Sequence, residues 1–177
     1  KLADLIGNEN IFNGIQTSDN RIYVHYATNE DDNYFYFNLD DEEWKVEKEL
    51  TRPYFQTSRG IDNLNTYRIL NPNSFVIYPY KNENGRINFV NIETLHSEYP
   101  ETFRFFENYS EELKKRDIKP EPETNEEWYR FGRHQSLEKC DVPAKIVVGV
   151  LSQGDKYAID TSHTFISSGG TAGYCMV

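Results

Sequence analysis

The apolar residues of this chain change their spacing near Asn91. Before it, short blocks such as "NIFNGIQT", "RIYVHYA", "NYFYFNL", "SFVIYPY" and "RINFV" are separated by turn residues, the period-two or short-run pattern of strands. After it, Leu95, Tyr99, Phe103, Phe106 and Leu113 recur at helical spacing, with Pro100 placed to start a second helix. The switch predicts an α+β fold in one domain, with a β-rich N-terminal half over residues 1–90 and a mixed helix-strand half over 91–177.

Local signals add detail. "NIFNGIQT" and "RIYVHYA", split by "SDN", read as a β-hairpin that "NYFYFNL" extends, and "EDD" and "LDDEEWK" read as solvated turns guarding a sheet edge. "TRPYFQTSRGIDNLNTYRI" reads as an ordered loop followed by a strand. "SFVIYPY" and "RINFV", joined by "KNENG" with Gly85 at the turn, read as a second hairpin. In the second half, Thr124 three residues ahead of Glu127 is a capping-box pattern, so "TNEEWYRFGRHQ" predicts a short helix ending near Gly132. "AKIVVGVLS", "KYAID" and "TFISS" read as strands and "GGTAG" as a flexible turn.

Composition limits the function classes. Aromatic residues make up 15% of the chain, including thirteen tyrosines and eleven phenylalanines, which suits sheet packing and equally a ligand-touching surface. Cys140 and Cys175 stand alone, and none of His25, His96, His134 and His163 forms a close metal-ligand pair; this predicts a reducing, cytoplasmic compartment and no metal site. The longest apolar run, Ile146 to Leu151, is far short of a membrane span. The formal charge of -10 argues against a free-standing nucleic-acid binder. The acid is concentrated, however: residues 1–50 hold 4 basic and 12 acidic residues, against 15 and 17 in the rest. Starting at Lys1 and ending just past a glycine-rich stretch, the chain reads as a piece of a longer protein.

One ordered series of motifs goes further. "GIQTSDNRIYV", "VIYPY", "YPETFRFFENYSEELKKRD", "WYRFGRHQSLEK", "PAKIVVGVLS" and "YAIDTSHTFISSGGTAGY" follow one another as in the TaqI-like C-terminal specificity domain, which the chain resembles from about Asn10 to its end. That family supplies the target-recognition region of adenine-specific DNA methyltransferases and fused type IIG restriction-modification enzymes. The resemblance implies a DNA methylase specificity-domain-like fold, double-stranded DNA as partner, and a methyltransferase domain in the same parent chain with S-adenosylmethionine as its cofactor. No cofactor is expected in this segment: "NPNS" at 71–74 lacks the second proline and the aromatic of the Asn/Asp-Pro-Pro-Tyr/Phe motif, and no Gly-rich loop follows a strand as a nucleotide-binding turn requires. The departure from the family is "SRGIDNLNTYRI", where Arg59, Tyr67 and Arg68 keep the chemistry of a basic segment at a looser spacing.

The candidate DNA-binding residues follow. Arg130, Arg133, His134 and Gln135 crowd one short segment; arginine can fork onto guanine O6 and N7 and glutamine onto adenine N6 and N7, both can also take phosphates, and the alternative is an internal role in an arginine salt bridge or a helix C-cap. Trp128, Tyr129 and Phe131 read as anchors of that segment. Gln16, Thr17 and Ser18 lie on a turn that could reach phosphate or a base edge, or could be a plain hairpin turn. Ser168, Gly169 and Gly170 resemble the family's glycine-rich loop, and Lys114, Lys115 and Arg116 read as a solvated helix end. No catalytic residue is expected. Glu43 and Lys45 of "EEWK" make a Glu-x-Lys of the nuclease kind that is common by chance in acidic sequence, and Asp160 with His163 lacks a nucleophile elbow. The competing reading is a protein- or carbohydrate-binding module with a tyrosine-rich surface.

Overall fold

The computed structural model describes residues 7, 10–55, 72, 74–83, 85–149, 157–168 and 171–175. They form an α+β protein, rich in short strands. Two compact units are each assembled from separated stretches: an aromatic unit of Thr17–Arg52 and Ser74–His134, and a terminal unit of 1–16, 53–73 and 135–177.

The aromatic unit is built on rings. Strands Tyr34–Leu39 and Glu42–Glu47 form a hairpin closed by Asp40 and Asp41, both at positive φ (53° and 63°), the paired left-handed turn whose twist suits flanking strands. Asn29–Glu30 adds a third strand. The "LDDEEWK" stretch is therefore strand on both sides of a two-residue turn, and along its second arm Trp44 and Val46 alternate inward with Glu43 and Lys45 outward. Helix Pro100–Asn108 covers this sheet. Phe105 meets Phe37 at 5.1 Å and Trp44 at 5.3 Å, edge-on in both cases, and Glu47 accepts hydrogen bonds from the N–H and hydroxyl of Thr102. Helix Ile92–Glu98 precedes it, capped by Asn91, and Pro100 opens the second helix as the spacing predicts.

Three expectations fail here for one reason, that distant partners outcompete local ones. The hairpin expected around "SDN" is absent. Asp19 instead accepts the Ile22 N–H and caps a one-turn helix, Asn20–Tyr23, while Val24–His25 pairs with Ser74–Ile77. The second hairpin is shorter than expected: Tyr80–Glu83 pairs with Arg86–Phe89 through Gly85 (φ +83°), and Ser74–Ile77 is a separate strand. Residues 124–132 form turns rather than a helix, since the carbonyls of Trp128, Tyr129 and Arg130 are taken by side chains of Arg116 and Tyr23 instead of by following N–H groups.

In the terminal unit four antiparallel strands run in the order Ile11–Asn13, Thr171–Cys175, Lys145–Gly149, Tyr157–Asp160. Thr171, Ala172 and Gly173 of "GGTAG" are strand in place of the expected flexible turn: Gly173 pairs with Phe12 on one side and Val147 on the other, and pairing along both edges overrides weak strand propensity. Lys145 and Asp160, opposite each other in register, form a fully buried ion pair at 2.5 Å. Cys140 O, Thr164 and the Ser162 N–H satisfy their remaining groups, which is what makes a buried charge pair tolerable. Among the described residues no helix is long and apolar enough to cross a membrane.

His25 gives the aromatic unit a pH dependence. Its ring stacks 3.9 Å from Phe37, its Nε2 lies 2.8 Å from the Ile22 carbonyl, and burial pushes the imidazole down to about 4. The folded pKa lies below the unfolded value, so stability is complete above pH ~6.5 and is lost as the pH falls toward 4, by on the order of 3 kcal/mol. Urea midpoints measured between pH 7 and 4 should show this acid limb, and His25→Phe should flatten it.

Candidate nucleic-acid interface

The structure brings "TSDN" and "RFGRH" together inside the aromatic unit. The Thr17 carbonyl accepts both the Gly132 N–H (3.0 Å) and Arg116 Nη1 (2.7 Å). Ser18 is held at φ +62° directly against Gly132: a methyl group there would lie 1.8 Å from Ser18 Oγ and 2.4 Å from its Cβ, so only glycine fits. The far side of Gly132 is tied down as well, its carbonyl accepting the Lys119 N–H at 2.8 Å.

Arg116 organises this junction. Its Nε donates to the Leu113 carbonyl, Nη1 to Thr17, and Nη2 to the carbonyls of Trp128 and Arg130 and to the Tyr23 hydroxyl, while the guanidinium lies 5.1 Å over the Tyr23 ring. It is therefore not part of a solvated helix end, unlike its exposed neighbours Lys114 and Lys115. Nothing local in "KKRD" distinguishes it, because the acceptors lie as far away as Thr17 in sequence. Arg116, Gly132 and Asp117 are the three site residues that sequence reasoning missed.

The candidate side chains differ in availability. Thr17 is 1% exposed, its hydroxyl donating to Asn20 Oδ1 at 2.6 Å, so it shapes the turn rather than meeting solvent. Ser18 is exposed. Arg130 is turned inward, its side chain 12% exposed, 2.5 Å from Glu127 and 5.8 Å over Phe89. Arg133 is 32% exposed, and its Nη2 lies 2.9 Å from the Asp117 carboxylate, whose pKa it holds below the usual range. His134 is exposed and stacks nearly parallel on Tyr80, a buried phenol that accepts the Phe131 N–H and is pushed up to about 12 by burial. Tyr129 and Phe131 are buried anchors, as their type suggested.

Gln16, Gln135 and Ser168 gather in the terminal unit, whose boundary falls between Gln16 and Thr17 and between His134 and Gln135. Gln135 Nε2 donates to the Gly14 carbonyl (3.3 Å), and the Ser168 N–H to that of Ile15 (3.0 Å). A methyl at Gly14 would lie 2.0 Å from the Ile166 carbonyl, so the two backbones pass at closest approach. Arg59, Arg68, Gly169 and Gly170 lie outside the described residues.

Other chemistries find less support. Among the described residues no group of three His, Cys, Asp or Glu side chains comes together as a metal set. Lys45 of "EEWK" sits over Tyr34 at 4.4 Å and near Glu101 at 3.3 Å, and His163 pairs with Asp141 while Asp160 is spent on Lys145. The tyrosines are mostly interior: Tyr23, Tyr54, Tyr78, Tyr80 and Tyr129 are fully buried, and among the described residues Tyr26, at 37%, is the large hydrophobic side chain left exposed.

No family model matches the chain. Over its full length it is 49% identical to "Type II restriction enzyme and methyltransferase RM.Eco57I" of Escherichia coli, of which it spans 18%. The chain is similar to one segment of a restriction-modification enzyme. The alignment embraces both junction segments, 17–20 and 130–135, together with the scaffold that holds them.

Gly132→Ala should destabilise the aromatic unit by about 1–3 kcal/mol through overpacking against Ser18. Ser18→Gly in the same chain should recover most of that loss. Chemical denaturation of the two single variants and the double variant checks the coupling.

Proposed function

We propose that this chain is the DNA sequence-recognition segment of a restriction-modification enzyme, positioning duplex DNA for adenine methylation by a separate catalytic domain of the same protein. The observation that carries the reading is the 49% identity, over the entire chain, to part of a type II restriction enzyme and methyltransferase. The site geometry is compatible with it. Ser18, Arg133 and His134 are presented from one braced junction of the aromatic unit, and Gln16, Gln135 and Ser168 from one of the terminal unit. Hydroxyls, amides and guanidinium groups are the donors that phosphates and major-groove base edges accept.

The proposed division of labour is physical. Sequence is read here, while the methyl group comes from S-adenosylmethionine bound in the catalytic domain, for which this chain's sequence offers no G-x-G-x-x-G nucleotide-binding turn and no Asn-Pro-Pro-aromatic motif. Extrusion of the target adenine into that domain would require the duplex to be held from another side. A net charge of -10 denies this segment strong non-specific attraction, so most phosphate neutralisation would fall to the rest of the protein.

Photo-crosslinking tests the reading. The intact protein that carries this chain, bound to a target duplex substituted with photoreactive bases, should yield crosslinked peptides containing residues 16–18, 130–135 or 168. Crosslinks confined to other parts of the protein would overturn it.

A further inference from the structure

Resting on that reading, we infer that Asp117 is a positioning residue that grips one edge of the Arg133 guanidinium and leaves the opposite edge as a preset fork for two adjacent acceptor atoms of the duplex. Arginine has five N–H donors. Among the described residues three of them are committed: Nη1 donates to the carbonyls of Asp117 and Gly132, each at 2.7 Å, and Nη2 to Asp117 Oδ2 at 2.9 Å. The two that remain, on Nε and Nη2, are parallel neighbours along one edge of the guanidinium plane, the arrangement that meets guanine O6 and N7 or two oxygens of a phosphate.

The base of this fork is rigid. Arg133 and Lys119 form a parallel backbone bridge, the Lys119 N–H donates to Gly132, and Gly132 is wedged under Ser18. Asp117 stands two residues before Lys119 and so belongs to the same braced segment. Lys119 Nζ, 3.4 Å from Asp117 Oδ1, supplies a second cation beside the carboxylate and lessens its repulsion of a polyanion. Arg130 shows what a purely structural arginine looks like three positions away: it closes on Glu127 and is largely withdrawn from solvent. Arg133 keeps about a third of its side chain exposed and, among the described residues, holds two donors in reserve.

The test uses the intact protein with Arg133→Ala, Arg133→Lys, Asp117→Ala, Asp117→Asn and the Ala/Ala double variant. Binding is measured on the preferred duplex, on duplexes with single base-pair changes, and over a salt series. Arg133→Ala should weaken specific binding about 10- to 100-fold. Asp117→Ala should weaken it several-fold, Asp117→Asn less, and the double variant should be no weaker than Arg133→Ala. Arg133→Lys, which keeps the charge but cannot fork, should resemble Arg133→Ala. Loss of discrimination at one base pair with an unchanged salt slope assigns the fork to guanine; uniform weakening with the slope reduced by about 1 assigns it to phosphate. Additive Asp117 and Arg133 effects, or wild-type binding by Arg133→Lys, overturn the inference while crosslinking through this segment leaves the functional reading standing. Should Asp117→Ala lower the melting temperature, Asp117→Asn and Arg133→Lys, with the same panel, still decide it.

Discussion

The guanidinium of Arg116 is the interaction on which the described surface depends. Its acceptors are four backbone carbonyls, of Thr17, Leu113, Trp128 and Arg130, and the Tyr23 phenol, which come from four separate stretches of the chain. Carbonyl dipoles stand in for a carboxylate here. A planar cation with fixed donor directions imposes geometry on everything it touches, and loops that would otherwise be free to choose among turn types are given one arrangement. The irregular backbone of 124–132 is the visible result: carbonyls that point at a side chain are not available for a helix.

From that centre the constraint spreads outward. Arg116 fixes Thr17, Thr17 receives the Gly132 N–H, and the glycine accepts Ser18 against its Cα and Lys119 on its carbonyl. Beneath them Tyr23, Tyr80, Phe131 and Phe106 pack ring to ring at about 5 Å, so the junction stands on a densely packed aromatic floor. The abundance of tyrosine thus serves the interior. Three of the buried phenols also reach backbone through their hydroxyls: Tyr23 donates to the Tyr129 carbonyl, Tyr129 to that of Val90, and Tyr80 accepts from Phe131.

How much of this was legible in the sequence divides by distance along the chain. Helix Pro100–Asn108 was readable because its signals, a proline at N1 and apolar residues at helical spacing, are carried by the helix itself. The pairing of Ile11–Asn13 with Thr171–Cys175 was not, since each strand looks like a turn or a hairpin arm until a partner some 160 residues away is known. The helix expected after Thr124 fails for the same reason in reverse: local signals were real, with Thr124 Oγ1 accepting the Glu126 N–H, but Arg116 outbid them from outside the segment. For the site, the residue types could be picked out, whereas their state could not. Arg130 and Arg133 are equivalent in sequence and differ in the structure because Glu127, three residues before the first, turns back onto it and Asp117 is folded back beneath the second.

That difference bears on how an acidic segment could take part in DNA recognition at all. Affinity for a polyanion scales with the number of phosphates neutralised, and a chain with 29 acidic and 19 basic residues has little to offer on that scale. Discrimination between base pairs rests on a different quantity, the cost of leaving a preset donor unmet, and that cost rises with rigidity rather than with net charge. A guanidinium whose inner edge is held by a carboxylate contributes almost no net charge, loses little freedom on binding, and still penalises any surface lacking two aligned acceptors. The acid beside the arginine and the acid over the first 50 residues then stop being obstacles to recognition. On the proposed reading, they would mark a segment suited to select a duplex that the rest of the protein holds.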